Sequence, residues 1–188
     1  MHPDEVLNLF RRSGALLEGH FRLSSGLHSP GYLQCALVLQ DPPAAEALGR
    51  ALADKVRHLD IEAVLSPAMG GIVIGHEVAR ALGVRAIFAE RQEGAMTLRR
   101  GFALGPGERV LVVEDVFTTG LSTRETMDVA RAAGARVTGA AAIINRSHGH
   151  GLDVPFVALV EYVLPTHQPE ACPLCAAGEP VVKPGSRA

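Results

Sequence analysis

Two adjacent carboxylates, Glu114 and Asp115, stand where the apolar run 110–113 stops, and a segment rich in small hydroxyl residues follows them. That segment is Thr118, Thr119, Gly120, Leu121, Ser122 and Thr123. Small hydroxyl residues around a glycine let backbone N–H groups and Oγ atoms converge on a phosphate, and a helix starting there adds a favourable dipole. Paired acids at a strand end can accept hydrogen bonds from vicinal hydroxyls of a sugar. Taken singly, each residue has a plainer role: the acids can open a turn, and Ser122 can cap a helix. The ordered set at the end of a hydrophobic strand is what points to a sugar phosphate. The Gly-Lys-Ser/Thr ending of a nucleotide P-loop is absent.

Such a loop works only if its strand lies in a sheet and the loop sits at the carboxyl edge, where open α/β sheets bind ligands. The surrounding pattern meets that requirement. It predicts strands over 61–66, 84–90, 109–115, 135–145 and 156–163, with helices over 72–82 and 122–133 between them. Gly134 closes the second helix. The alternation predicts a largely parallel sheet with helices on both faces. Upstream, apolar spacing predicts a helix over 4–17, and Asp41-Pro42-Pro43 opens another that runs to about Val56. Between them lie β-like stretches broken by turns at Ser24–Gly26 and Ser29–Gly31. After Pro165 the chain is rich in Pro and Gly and is expected to be extended.

The 188 residues are 47% hydrophobic but contain no Trp, two Tyr and six Phe, so the core must be built from Ala, Val, Leu and Ile. A formal net charge of −2 gives no reason to expect a nucleic acid as partner. No apolar stretch approaches the roughly 20 residues that span a bilayer. The beginning, MHPDEVLNLFRR, lacks the basic-then-apolar order of a secretory signal. Three cysteines make no disulfide framework. The expectation is a cytoplasmic protein with neither membrane nor nucleic-acid partners.

CPLC (172–175) is a single C-x-x-C. Zinc takes four ligands; His167 stands close before the pair, whereas His148 and His150 reach it only by folding back. A metal pair of Cys172 and Cys175, a redox pair, and a tail that packs its thiols all remain open readings.

VLVVEDVFTTGLS resembles the signature of type I phosphoribosyltransferases. The resemblance implies that Glu114 and Asp115 contact the ribose hydroxyls of phosphoribosyl diphosphate (PRPP), with Thr118–Thr123 around its 5-phosphate. FRLSSGLHSPGY (21–32), SPAMGGIVIG (66–75) and INR (144–146) are similar to further motifs of orotate phosphoribosyltransferases, in a divergent, Thermus-like branch. By that likeness Ala68, Met69, Gly70 and Gly71 form the diphosphate loop. Ser24, Ser25, Gly26, Tyr32, Thr118 and Arg146 would hold orotate, a planar anion that suits a planar guanidinium. Arg146 as a surface arginine, or Tyr32 as core, are the alternatives. The implied fold is a type I phosphoribosyltransferase domain over 1–165, with a small hood from about 1–40 and a tail over 166–188. The implied chemistry is transfer from PRPP, carried with Mg²⁺ held by substrate oxygens, to orotate in pyrimidine biosynthesis, by a cytoplasmic homodimer.

Three departures stand beside the likeness. The first motif has Ser24 where the family commonly has Lys, and the diphosphate loop has Met69-Gly70 in place of its Lys. The family's mobile loop, here ERQEGAMTLRRGF (90–102), holds Arg91, Arg99 and Arg100 but no Lys or His. Arg91 aligns with an arginine that family dimers lend across their interface. Arg99 or Arg100 would stabilise departing diphosphate but serve poorly as a general acid. A purine-base phosphoribosyltransferase and a non-catalytic PRPP sensor are the rival readings.

Overall fold

The computed structural model describes residues 1–23, 25–147 and 149–184. Helix α1 (Pro3–Arg12) opens with a capping box between His2 and Glu5. It ends five residues short of the expected limit, and Leu16 instead begins strand β1 (Leu16–Arg22). The cause is Gly14, at φ 69°: its N–H bonds Arg11 O at 3.1 Å, and Ala15 N–H bonds Phe10 O at 2.8 Å. This Schellman closure turns the chain out of the helix. Strand β1 pairs antiparallel with β2 (His28–Leu33) in a separate two-stranded sheet. A short helix α2 (Cys35–Leu39) and the expected α3 (Pro42–Val56) follow.

The remaining elements are β3 (Ala63–Pro67), α4 (Gly70–Leu82), β4 (Arg85–Gln92), β5 (Ala95–Leu98), β6 (Arg109–Phe117), α5 (Leu121–Ala132), β7 (Arg136–Asn145) and β8 (Phe156–Glu161). They form a six-stranded sheet in the order β5-β4-β3-β6-β7-β8, parallel except for β5. Segment 90–102, expected to be a loop, thus contains a strand. Glu93 and Gly94 both adopt positive φ, 52° and 87°, the two-residue turn that joins twisted antiparallel strands.

The sheet is covered on both faces, so β6 reads as continuous hydrophobe. Its Leu111 and Val113 belong to one buried cluster with Leu48, Leu52 and Ile74 of α3 and α4. Val110 and Val112 belong to another with Met127 and Ala130 of α5. Leu111 is fully buried, and truncating such a side chain to Ala costs about 2–5 kcal/mol. From β3 the chain crosses through α4 to β4, and from β6 it crosses through α5 in the opposite direction to β7. The switch point therefore falls between β3 and β6, where a crevice opens at the strand ends.

After β8 the chain returns to the β1–β2 hairpin. His167 exchanges two backbone hydrogen bonds with His28, each 2.9 Å. A 3-10 turn (Pro169–Ala171) and one helical turn, α6 (Pro173–Ala176), interrupt an otherwise irregular tail. Val182 then bonds Arg22 and His20 through the backbone.

Candidate active site

Glu114 and Asp115 lie near the carboxyl end of β6, beside the switch point. Glu114 is 6% exposed, and Asp115 is half-buried. Ser122, in the first turn of α5, donates from Oγ to Glu114 Oε2 at 2.6 Å, tying the helix start to the strand end. Burial first, and then the charge of Asp115, push the Glu114 carboxyl up to about 8, although the Ser122 hydroxyl pulls the other way. In the free protein this group is mostly protonated at neutral pH.

The loop after β3 runs directly against the second acid. A Cβ built on Gly70 would stand 2.8 Å from both Asp115 carboxylate oxygens, and one on Gly71 would stand 2.8 Å from Val113 O. A side chain at Gly71 would meet that backbone and push α4 away from β6, whereas one at Gly70 would displace the Asp115 carboxylate. The Ala68–Met69 peptide is cis, and the Met69 side chain is 83% exposed. The sequence-predicted diphosphate loop and the acid pair therefore border one crevice.

On the other side of the acids is the hydroxyl loop. Gly120 has φ 73°, and a Cβ there would meet Phe117 Cζ at 2.4 Å, so only glycine fits. Thr118, Thr119 and Leu121 are exposed, and Thr123 is buried with no hydrogen-bond partner for its Oγ1 among the described residues. Arg124 reaches back from α5 to Thr119 O at 2.6 Å. The first amides of a helix have no acceptors within it, so an anion on this loop would meet free N–H groups and hydroxyls together.

Arg146 follows β7, the neighbour of β6, and its N–H donates to Phe117 O at 2.8 Å. Its guanidinium is half-buried, and among the described residues its Nε has no hydrogen-bond partner. Burial lowers its pKa, with Tyr32 and Cys35 close enough to oppose the effect. The preceding Asn145 is occupied: Nδ2 donates to Glu161 Oε2 at 2.6 Å, and Oδ1 accepts from Ser147 Oγ at 2.7 Å. Tyr32, half-buried, lies 6.0 Å from the Phe21 ring. The hairpin therefore meets the main sheet near Arg146. Ser25 is exposed, Gly26 turns at φ 85°, and Ser24 lies outside the described residues.

The arginines of the β4–β5 hairpin are held elsewhere. Arg91 pairs with Glu125 of α5 and donates to Gly94 O at 2.8 Å. Arg99 and Arg100 both pair with Glu90, at 3.6 and 3.0 Å, and Arg100 lies over the Phe88 ring. Among the described contacts, none of the three reaches Glu114 or Asp115.

Residues 37–158 match the phosphoribosyl transferase domain family. The chain belongs to that family. It is 56% identical to the orotate phosphoribosyltransferase of Heliobacterium modesticaldum over 190 aligned residues, with both chains wholly covered. It is 54% identical to that of Pelotomaculum thermopropionicum, over all of this chain and 99% of the relative. The crystal structure of orotate phosphoribosyltransferase from Aeropyrum pernix is similar, with a TM-score of 0.70 at 26% identity, covering 82% of this chain and 92% of that one. The architecture is thus the type I phosphoribosyltransferase fold expected from the sequence.

Two neighbours of the site were not legible in advance. Cys35 is buried, and its thiol is raised by burial and then by the charges of Asp115 and Glu114. A lone Cys in an apolar run carries no signal of that proximity. Arg124 had a weak one: it is a cation one turn into the helix that begins at the hydroxyl loop.

Proposed function

We infer that this protein is an orotate phosphoribosyltransferase, a pentosyltransferase that converts orotate and PRPP to orotidine 5′-monophosphate and diphosphate. The observation that carries the reading is the convergence at adjacent strand ends. The β3 loop and the acids share one wall, the hydroxyl loop lies beside them, and a half-buried Arg146 with an unsatisfied Nε stands one strand further. Full-length relatives that bear this activity in their names support the choice of base.

In this reading the 5-phosphate rests on the Thr118–Thr123 loop, and Glu114 and Asp115 accept hydrogen bonds from the ribose hydroxyls. Gly70 and Gly71 let the backbone approach the diphosphate. Arg146 takes the orotate carboxylate in a two-point contact, with Tyr32 covering the ring and Ser24–Gly26 at its edge. The bond from the anomeric carbon to diphosphate loosens ahead of bond formation to the base nitrogen, and positive charge grows on the ribose. Positioning and fixed electrostatics do most of the work, and no protein nucleophile is needed. Mg²⁺ arriving with PRPP would neutralise the leaving diphosphate. The all-oxygen character of the acid pair and sugar hydroxyls suits that hard cation.

Arg99 and Arg100 would serve as the cations over departing diphosphate once released from Glu90. The family likeness further supports a cytoplasmic homodimer in which Arg91 is lent to the partner. That loan requires the in-chain pair with Glu125 to open. The deciding experiment incubates the protein with PRPP, Mg²⁺ and a panel of bases. Loss of orotate absorbance with release of diphosphate is the expected result. Consumption of a purine instead, or PRPP binding without turnover of any base, would select one of the rival readings.

A further inference from the structure

Far from the acids in sequence, the tail brings two thiols to the base of the β1–β2 hairpin. His20 lies in β1 at a register irregularity that falls between Glu18 and Phe21, and His28 of β2 pairs with Arg22 across the hairpin. The two imidazoles meet, with ring centroids 4.7 Å apart. Cys172 and Cys175 reach them from α6 and the residue before it. The four ligand atoms all lie within 4.8 Å of one another.

We propose that His20, His28, Cys172 and Cys175 bind a zinc ion that fastens the C-terminal segment to the hairpin. The separations lie close to those around one tetrahedral centre. Bonds of about 2.0–2.1 Å to nitrogen and about 2.3 Å to sulfur imply edges of roughly 3.3 Å (N–N), 3.6 Å (N–S) and 3.8 Å (S–S). Cys172 Sγ stands 3.6 Å and Cys175 Sγ 3.7 Å from His20 Nε2, and Cys175 Sγ stands 3.2 Å from His28 Nδ1. The two imidazole nitrogens are closer, at 2.8 Å.

The outer contacts prepare the ligands. His20 Nδ1 lies 2.8 Å from Glu179 O, a pure acceptor, so Nδ1 carries the proton and Nε2 presents its lone pair to the thiols. This is the orienting partner that metal-bound histidines ordinarily have. A proton shared between the imidazoles would satisfy one contact, whereas a single cation satisfies all four ligand atoms. Two nitrogens and two sulfurs gathered within 4.8 Å of one another suit zinc, and four protein ligands close the shell, as in structural sites. His20, His28 and Cys172 are buried, while Cys175 is exposed and gives the ion a route in.

The location gives the ion a purpose. Backbone bonds from His167 and Val182 bracket the cluster, but Cys172 is the one buried residue among those described after position 165. Little apolar burial holds this tail, so the metal would supply the fastening, and with it brace the hairpin that carries Ser25 and Tyr32.

The test uses the untagged chain, purified under reducing conditions without chelator. Metal analysis should find about one zinc per chain. After removal by dipicolinate, Co²⁺ should restore a visible spectrum of tetrahedral type with a sulfur-to-cobalt band, lost in Cys172→Ser and in His28→Asn. Limited proteolysis of the wild-type chain with and without the chelator gives a reading that does not depend on either variant folding. Residues beyond 165 should be cut faster once the metal is gone. A zinc-free protein that gives no cobalt band after thiol reduction overturns the site, as does zinc that survives the double change Cys172→Ser/Cys175→Ser. Proteolysis unchanged by chelation overturns the fastening role.

Discussion

Gly70 and Asp115 touch across the gap between β3 and β6, and the carboxylate fills the space where a side chain on Gly70 would begin, 2.8 Å from its Cβ position. Gly70 is exposed at the first position of α4, and its φ is not in the left-handed region. Gly70→Ala should therefore change folding stability by less than about 1 kcal/mol. It should lower kcat/KM for PRPP at least tenfold by displacing Asp115. Asp115→Asn should lower turnover by about a hundredfold or more, again with little change in melting temperature. Steady-state kinetics beside thermal melts of both variants check this. Normal turnover in Asp115→Asn would remove the acids from the mechanism.

The buried Glu114 makes the free protein pH-sensitive. Its carboxyl holds a proton up to about pH 8 in the folded chain but only to about 4.5 when unfolded. Folding takes up a proton between those limits. The stabilisation is complete below about pH 4.5 and is lost as the pH rises through about 8. The melting temperature should fall across that window, and Glu114→Gln should flatten the slope.

Ligand binding should run the other way, because ribose hydroxyls donate best to a carboxylate. PRPP affinity should rise with pH toward 8, with proton release at neutral pH. Calorimetry in buffers of different ionisation enthalpy reads that proton directly.

The β6 strand, its acids and the hydroxyl loop were legible because each rests on local chemistry: an apolar run buried on both faces, then acids, then a Gly at positive φ packed against Phe117. Helix α3 was legible through its Pro-Pro start. The end of α1 was missed because the apolar spacing continues past Gly14, and only the closing hydrogen bonds show that the chain has turned. Strand β5 was missed because its four residues are short and unburied on their own. The partners of Cys172 and Cys175 were hidden most deeply. His20 lies 152 positions from Cys172, a separation no motif spans.

Arg146 invites a separation of binding from folding. Its Nε is buried without a partner among the described residues, so the free protein gains little from the guanidinium. Arg146→Ala should leave the melting temperature unchanged or slightly raised. It should reduce kcat/KM for orotate by about a hundredfold or more, the cost of leaving a carboxylate unpaired in a desolvated site. PRPP binding, followed by calorimetry, should be nearly unaffected. Equal losses for both substrates would indicate that Arg146 supports the site rather than the base.

Gly120 is the position at which fold and function cannot be pulled apart. Its φ of 73° disfavours any side chain, and a Cβ would meet Phe117 Cζ at 2.4 Å and Arg124 Nη1 at 2.9 Å. Phe117 cannot yield easily, being buried and packed 4.7 Å from the Phe156 ring. Gly120→Ala should therefore cost about 2–3 kcal/mol, the sum of left-handed backbone strain and overpacking. The α5 amides should lose their aim at the phosphate as well. Thr118→Ala, exposed in the same loop, should weaken PRPP binding with no loss of stability. Denaturant unfolding and PRPP titration of the two variants together test whether the loop's conformation or its hydroxyls hold the phosphate. If Gly120→Ala keeps full stability, Phe117 has room that the packing denies it.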